Sequence, residues 1–357
     1  MTTVPSSETA RPPVPPVWRQ WLFGSLGNFI GSVVTLGIGA WAAWHLYLWA
    51  WHDAVFVGTA ADCRAAGGAC WAFIRDKYEF ALYGMYPIEE RWRAVLALGL
   101  LSALVVVSLM RRFWSAWLIL AWVVVVAAVC MILSGGFLGL PTVPVRLWSG
   151  MIVTILLSVI GLLAAYPIGL ALALGRRSEL PVIRWFSIAW IELVRGVPLV
   201  SILIMASVVL PLFLPEGVEF ANLVRAQVAF VLFGSAYLAE VFRGGLQAIP
   251  KGQYEGAFSL GLGYWPTLRL VVLPQALRLV IPAQVNTFIA IFKDTSLILV
   301  IGVFDFLGTI KAMLSDPAWL GFSTEAYVFG ASVYFAISYG MSVYSRRLER
   351  DLRLGRA

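Results

Sequence analysis

Charge is what this sequence has least of. Only 13% of its 357 residues are Asp, Glu, Lys or Arg, about half the share found in an ordinary soluble domain. Apolar residues make up 61%, and mean hydropathy is +0.85. A soluble enzyme, a disordered tail protein and a nucleic-acid binder are excluded as main readings, and no nucleic acid is expected as a partner. Histidine occurs twice, which leaves little room for a histidine-based metal site, and three cysteines exclude a disulfide scaffold. The dipeptide Gly-Lys does not occur, so no Walker A phosphate loop can form. His-Glu-x-x-His and Gly-x-Ser-x-Gly are absent as well. No metal and no catalytic residue are expected.

What is present is long apolar runs. A spanning helix needs about 20 mostly apolar residues, because a rise of ~1.5 Å per residue must cross ~30 Å of hydrocarbon. Eight such runs are expected, at roughly Phe29–Trp51, Ala94–Met110, Trp114–Leu133, Trp148–Leu174, Val197–Leu214, Ala226–Phe242, Ile281–Val303 and Ala326–Tyr344. The fold class is therefore all-α and polytopic, with membrane lipid as surrounding solvent. The first run is too long for a signal-peptide core and no small-residue cleavage site follows it, so it reads as a true span. Residues 1–20 carry Pro12, Pro13, Pro15 and Pro16 and read as a disordered lead.

The net charge of +7 sits in short basic runs between the apolar stretches. With the N-terminus in the cytoplasm, most of the basic residues fall in cytoplasmic loops, as the positive-inside bias requires. Both termini are then cytoplasmic. Residues 21–147 form an extension of three spans with an outer loop at 52–93. Residues 148–350 form a five-span core, followed by a tail at 351–357. In the outer loop Cys63 and Cys70 lie seven apart. An oxidising compartment permits a local disulfide there, with two free thiols as the alternative. Cys130 reads as packing.

The strongest pattern lies in the cytoplasmic loop 243–282. A short helix is expected after Gly252, ending at the Gly261–Gly263 pair. A second begins at Pro266 and is limited by Pro274. The residues Glu255, Gly256, Ala257, Gly261, Val271, Leu273 and Pro274 keep the spacing Glu-Ala-Ala, three residues, Gly, nine residues, Ile, one residue, Leu-Pro. That spacing resembles the signature loop (the EAA loop, which carries the coupling helix) of the membrane subunits of ABC importers. Gly256 replaces the first Ala and Val271 replaces Ile.

Three further segments narrow the resemblance: Glu192-Leu-Val-Arg-Gly-Val-Pro-Leu199, the stretch Ala236 to Gly245, and Phe292-Lys-Asp-Thr-Ser-Leu297 with Asp305 beyond it. They look like the polar amino-acid permease family, histidine/glutamine type. Gly68-Ala-Cys-Trp and Glu90-Arg-Trp-Arg93 look like its general L-amino-acid subgroup. The resemblance implies a permease subunit of a binding-protein-dependent importer that carries L-amino acids across the inner membrane. It implies a paralogous permease partner in a heterodimer, two cytoplasmic ABC ATPase subunits and a periplasmic amino-acid-binding protein. No cofactor is bound by this chain, since ATP and Mg are used by the partner ATPase. Glu255 becomes the anionic anchor in the ATPase groove and Gly261 the hinge. Val271, Leu273 and Pro274 hold the second helix to the membrane domain, and Glu240 and Arg243 brace the loop.

Lys293 and Asp294 sit inside the seventh run beside Thr295 and Ser296, with Asn286 near the same helical face. An intramembrane charge is a functional candidate, so these residues are expected to line the substrate pathway. The alternatives are a mutually satisfied Lys–Asp pair, which adjacent helical positions about 100° apart disfavour, and a pair snorkelling to an interface. Two other functions remain in view: an ion-gradient carrier or channel, and a non-transporting scaffold of the complex. Copurification of an ATPase and a binding protein discriminates them.

Overall fold

In the computed structural model of the protein, residues 22 and 24–354 are described. The expected proline-rich lead lies outside them. Among the described residues there is no strand ladder, and two isolated bridges stand where a sheet would be. Seven helices are long and apolar enough to cross a membrane: Leu26–His52, Ile88–Leu109, Trp117–Ser134, Met151–Gly175, Asn222–Gln247, Ile281–Ile301 and Ser323–Asp351. The fifth expected run, Val197–Leu214, is not a straight span. Pro181–Gly196 and Leu199–Phe213 form a pair bent by 101° at Val197-Pro198. Pro198 cannot donate to the helix and disfavours a helical residue before it, so the chain turns there.

The chain divides into two compact units between Arg75 and Asp76. In the first, α1 (Leu26–Tyr47) starts at Ser25, whose hydroxyl accepts from the Asn28 amide at 3.1 Å. No residue of α1 is buried. Helix α2 (Ala60–Ala66) opens on a capping box between Thr59 and Asp62. The Thr59 backbone amide holds the Asp62 carboxyl below its usual range. Cys63 and Cys70 are joined by a disulfide with Cα atoms 5.4 Å apart. Helix α3 (Trp71–Tyr83) begins in this unit and ends in the next.

The second unit holds α4 (Arg91–Leu109), α5 (Ala116–Ser134), α6 (Met151–Gly175), α7 (Pro181–Gly196), α8 (Leu199–Ile204) and α9 (Asn222–Gln247). Helix α10 (Lys251–Ser259) and α11 (Tyr264–Pro266) follow, then α12 (Leu273–Leu279), α13 (Ile281–Asp294), α14 (Phe306–Met313) and α15 (Ser323–Leu354). The expected boundary near residue 147 is not where the compact units part. Ala94, Ala97 and Leu101 of α4 and Val129 and Leu133 of α5 share one apolar core with Ile152, Leu156 and Phe230. Two of the three extension spans therefore belong with the five-span core. The fully buried Arg93 helps close this region: it pairs with Glu90 at 2.8 Å and donates to the Pro141 carbonyl at 2.9 Å. The last helix also runs past residue 350, so the expected tail begins as helix.

Helices α6 and α9 form the spine and run parallel, with Gly161 beside Phe230 and Gly169 beside Leu238. They meet at small residues. A Cβ on Gly169 would stand 2.8 Å from the Ser235 carbonyl oxygen, so glycine is what lets the backbones approach. A second core lies at the Glu255 end, where Leu172, Ala173, Ile191 and Phe242 meet Leu268, Val272, Ala276 and Val280.

At the opposite end, Asp305 closes the fold. It is fully buried and caps α14, accepting from the Gly308 amide at 2.8 Å. Its other oxygen accepts from Tyr334 of α15 at 2.9 Å, while Thr154 of α6 accepts from the Phe306 amide at 2.9 Å. Burial pushes the Asp305 carboxyl up, against these hydrogen bonds.

Candidate functional site

Helix α10 is short because both its ends are punctuated. Pro250, with ψ 142°, is extended and starts it. At the other end Gly261 donates to Phe258 O at 2.9 Å and Leu262 donates to Ala257 O at 3.1 Å. These two bonds make a Schellman cap, which requires the left-handed φ of +78° that Gly261 supplies. Gly261 therefore acts as the stop of α10. The space around it is open, so the demand is on the backbone alone. Of α10 only Ala257 is buried, and Glu255 and Gly256 are exposed. Glu255 is thus presented outward from the chain.

The second helix differs from expectation. Pro274 does not end it. Thr267–Val272 widens to a π segment and α12 continues through Pro274 to Leu279. Proline clashes with the carbonyl four residues back, and a widened turn is a common way to accommodate that. The Val271 carbonyl is satisfied by the Gln275 side chain at 2.8 Å. The packing stripe also differs. Leu268, Val272, Ala276 and Val280 are buried at fourfold spacing. Val271 and Leu273 are half-buried and Pro274 is exposed, so helical phase gives most of the packing to Leu268, Val272 and Ala276. Leu273 contributes only at the edge of that core.

Glu240 and Arg243 form a node among α6, α7 and α9, and their side chains are not on α10. Arg243 forks onto both Glu240 oxygens, and its other arm reaches Gln247 at 2.6 Å. Arg176 and Arg195 lie 3.7 and 3.6 Å from Glu240, and Arg176 also meets Glu192 at 2.9 Å. The ties to α10 are made elsewhere. Arg177 donates to the Leu246 carbonyl and to the Tyr254 hydroxyl, each at 3.2 Å, with its guanidinium 5.8 Å from the Tyr254 ring centre. Gln275 donates to Gln253 at 2.8 Å. Sequence reasoning missed Arg176, Arg177 and Arg195. Their signal was position: cations in the last turn of a helix or just past it, where carbonyls lack partners.

On α13, Asn286, Ala290 and Lys293 are exposed along one face, and Asp294 is half-buried beside it. Lys293 and Asp294 have no ion-pair partner among the described residues, so a mutual pair is not formed. Thr295 departs from expectation. It is fully buried and its hydroxyl donates to Phe292 O at 2.8 Å, because the helix tightens there to a 3-10 segment, Thr295–Ile301. The Ser296 hydroxyl donates to Lys293 O at 2.8 Å.

Residues 165–354 match the family described as "Binding-protein-dependent transport system inner membrane component". The chain belongs to that family. The permease is 47% identical over 352 residues to the "Inner membrane amino-acid ABC transporter permease protein YhdY" of Escherichia coli (strain K12), covering 95% of this chain and 94% of that one. It is 34% identical over 402 residues to the "Glutamate/glutamine/aspartate/asparagine transport system permease protein BztC" of Rhodobacter capsulatus, covering 94% and 93%. Among solved structures, the "Crystal structure of an amino acid ABC transporter with histidines" matches at 30% identity with a TM-score of 0.51. That match covers 57% of this permease and 92% of that chain. The permease is a multi-pass inner-membrane subunit of an ABC importer. Importers of this class pair two permeases with ATPase subunits, which hydrolyse the ATP, and with a binding protein.

Proposed function

We propose that this permease imports L-amino acids into the cytoplasm as one half of a heterodimer with a paralogous permease, served by two ATPases and a periplasmic amino-acid-binding protein. The observation that carries the reading is α10: a nine-residue helix with one buried residue, held at the base and presenting Glu255 outward. A carrier driven by an ion gradient has no use for such an element. The amino-acid permeases to which the chain is similar supply the substrate class. Both termini and α10 lie on the cytoplasmic side, as the distribution of arginine favours.

In this reading Glu255 is the anionic anchor in the ATPase groove, and Gly256 and Ala257 are the flat and buried sides of the same turn. Gly261 stops the helix, and Val271, Leu273 and Pro274 lie on the margin of the second helix. Asn286, Lys293 and Asp294 line the pathway. An amino-acid zwitterion needs an acceptor for its ammonium and donors for its carboxylate, and Asp294 and Lys293, unpaired among the described residues, offer one of each. The experiment is ATP hydrolysis by the complete complex in nanodiscs, with binding protein and each common amino acid in turn. Stimulation by a set of amino acids, lost in Glu255→Lys, supports the reading. Unchanged hydrolysis and uptake in Glu255→Lys removes it.

A further inference from the structure

Helix α10 has little apolar attachment. Ala257 is its one buried residue, Tyr254 is half-buried, and two hollows near its root share Arg177 in their lining. One, of about 460 Å³, is lined by Leu246, Ile249, Lys251, Tyr254 and Glu255. The other, of about 680 Å³, is lined by Gly175, Glu179, Ile183, Tyr264 and Trp265. Arg177 lines both, so it stands in the wall between them. Where apolar packing is this thin, directional contacts decide orientation.

The contacts of Arg177 reach three elements. Its backbone follows the end of α6. Its Nη1 donates to the Leu246 carbonyl in the last turn of α9, one of the carbonyls a helix end leaves without an internal partner. The same nitrogen donates to Tyr254 of α10, and the guanidinium lies against that ring. Helices α6 and α9 are themselves locked by close backbone approach at Gly169. Gly245, one residue before Leu246, approaches α12 as closely: a Cβ there would stand 2.8 Å from the Ala276 carbonyl oxygen. A displacement of α10 is therefore delivered by Arg177 to a stiff pair of spanning helices.

We propose that Arg177 is the positioning residue that couples α10 to the membrane core, with Tyr254 as its receiver. Arg177 touches neither substrate nor nucleotide; it acts through α10. The proposal rests on the reading of α10 as the ATPase-docking element. Lysine cannot replace it fully, because a compact ammonium lacks the planar guanidinium that lies against the Tyr254 ring while one of its nitrogens donates to the carbonyl and the hydroxyl.

The test uses the complete transporter in proteoliposomes, with the amino acid that stimulates hydrolysis most in the nanodisc screen. Uptake per ATP hydrolysed is the readout, since a residue needed only for folding lowers the amount of complex and leaves that ratio alone. Arg177→Ala is expected to lower the ratio about five- to tenfold, the size of effect typical of a lost coupling contact. Arg177→Lys recovers part of it, and Tyr254→Phe, which keeps the ring and loses the hydroxyl, falls between wild type and Arg177→Ala. A wild-type ratio in Arg177→Ala overturns the proposal. Should that variant not assemble, wild-type ratios in both Arg177→Lys and Tyr254→Phe overturn it instead, and lowered ratios in both support it. Glu255→Lys in the same vesicles separates the two readings. Wild-type behaviour there removes the docking role of α10, whereas loss there with a normal Arg177→Ala removes the clamp alone.

Discussion

The Tyr334 hydroxyl donates to the buried carboxylate of Asp305 at 2.9 Å, joining the long last helix to the loop that caps α14. The two residues are far apart in sequence, and the bond holds α15 against the end of the spine where Thr154 receives the Phe306 amide. Tyr334→Phe leaves one carboxylate oxygen buried without that donor. A charged acceptor left short of a bond costs about 1–3 kcal/mol. The expected result is a lower unfolding temperature of the purified complex, measured by tryptophan fluorescence. An unchanged transition would mean that water replaces the hydroxyl.

Lys77 bridges Asp76 at 3.1 Å and Asp316 at 2.6 Å, and Trp319 donates to Asp76 at 2.9 Å. The Lys77 hydrogen bond holds the Asp316 carboxyl below its usual range, and Asp316 in turn pushes the Lys77 ammonium up. The depressed carboxylate contributes stability that is present above the ordinary carboxylate pKa and is lost as pH falls through the lowered one. The raised ammonium contributes below the ordinary lysine pKa and loses its share as pH rises through the raised one. Across the neutral range the clasp is complete. The groups are solvent-accessible and screened, so the contribution is small. Lys77→Met is expected to lower the unfolding temperature slightly at pH 7, with the difference from wild type vanishing only in strong acid or base.

Gly256 and Gly261 have open space around them and opposite demands on their backbones. Gly261 is left-handed at φ +78°, whereas Gly256 is inside α10. Gly261→Ala should cost about 1–2 kcal/mol at this turn. Gly256→Ala should stabilise α10 by about 0.5–1 kcal/mol by restricting the unfolded chain. Hydrogen exchange of the Phe258 to Leu262 amides reads both: faster in the first variant, slower in the second.

Asp294 lacks an ion-pair partner among the described residues and sits where α13 gives way to a 3-10 segment, at the edge of the exposed Asn286–Lys293 face. Asp294→Asn should leave complex yield near wild type and reduce uptake by about 2–5 kcal/mol in transition-state terms if the charge contacts substrate. Uptake and yield are measured together with the double variant Asp294→Asn, Lys293→Gln. Lost uptake at normal yield in both supports pathway lining, and restored uptake in the double variant makes the charge structural.

Much of the architecture is legible from the chain alone, because hydrocarbon is a demanding solvent. Long runs of apolar residues, a glycine where α10 must stop, and a fixed motif spacing are local facts. Helix count, the position of α10 and its outward face follow from them. Tertiary structure decided what no window of sequence contains. The proline at 198 marks a break, yet the 101° bend depends on what the two halves pack against. Pro274 reads as a stop, and a widened π segment carries the helix through it. The Val271 and Pro274 positions match the motif, yet helical phase gives the packing to Leu268, Val272 and Ala276. Glu240 looks like a brace for the loop until Arg176 and Arg195 arrive from two other helices to surround it. Composition and spacing are properties of one segment. Charge pairing and packing stripes belong to surfaces that meet only after folding, and so the membrane core was readable while the clamp at Arg177 was not.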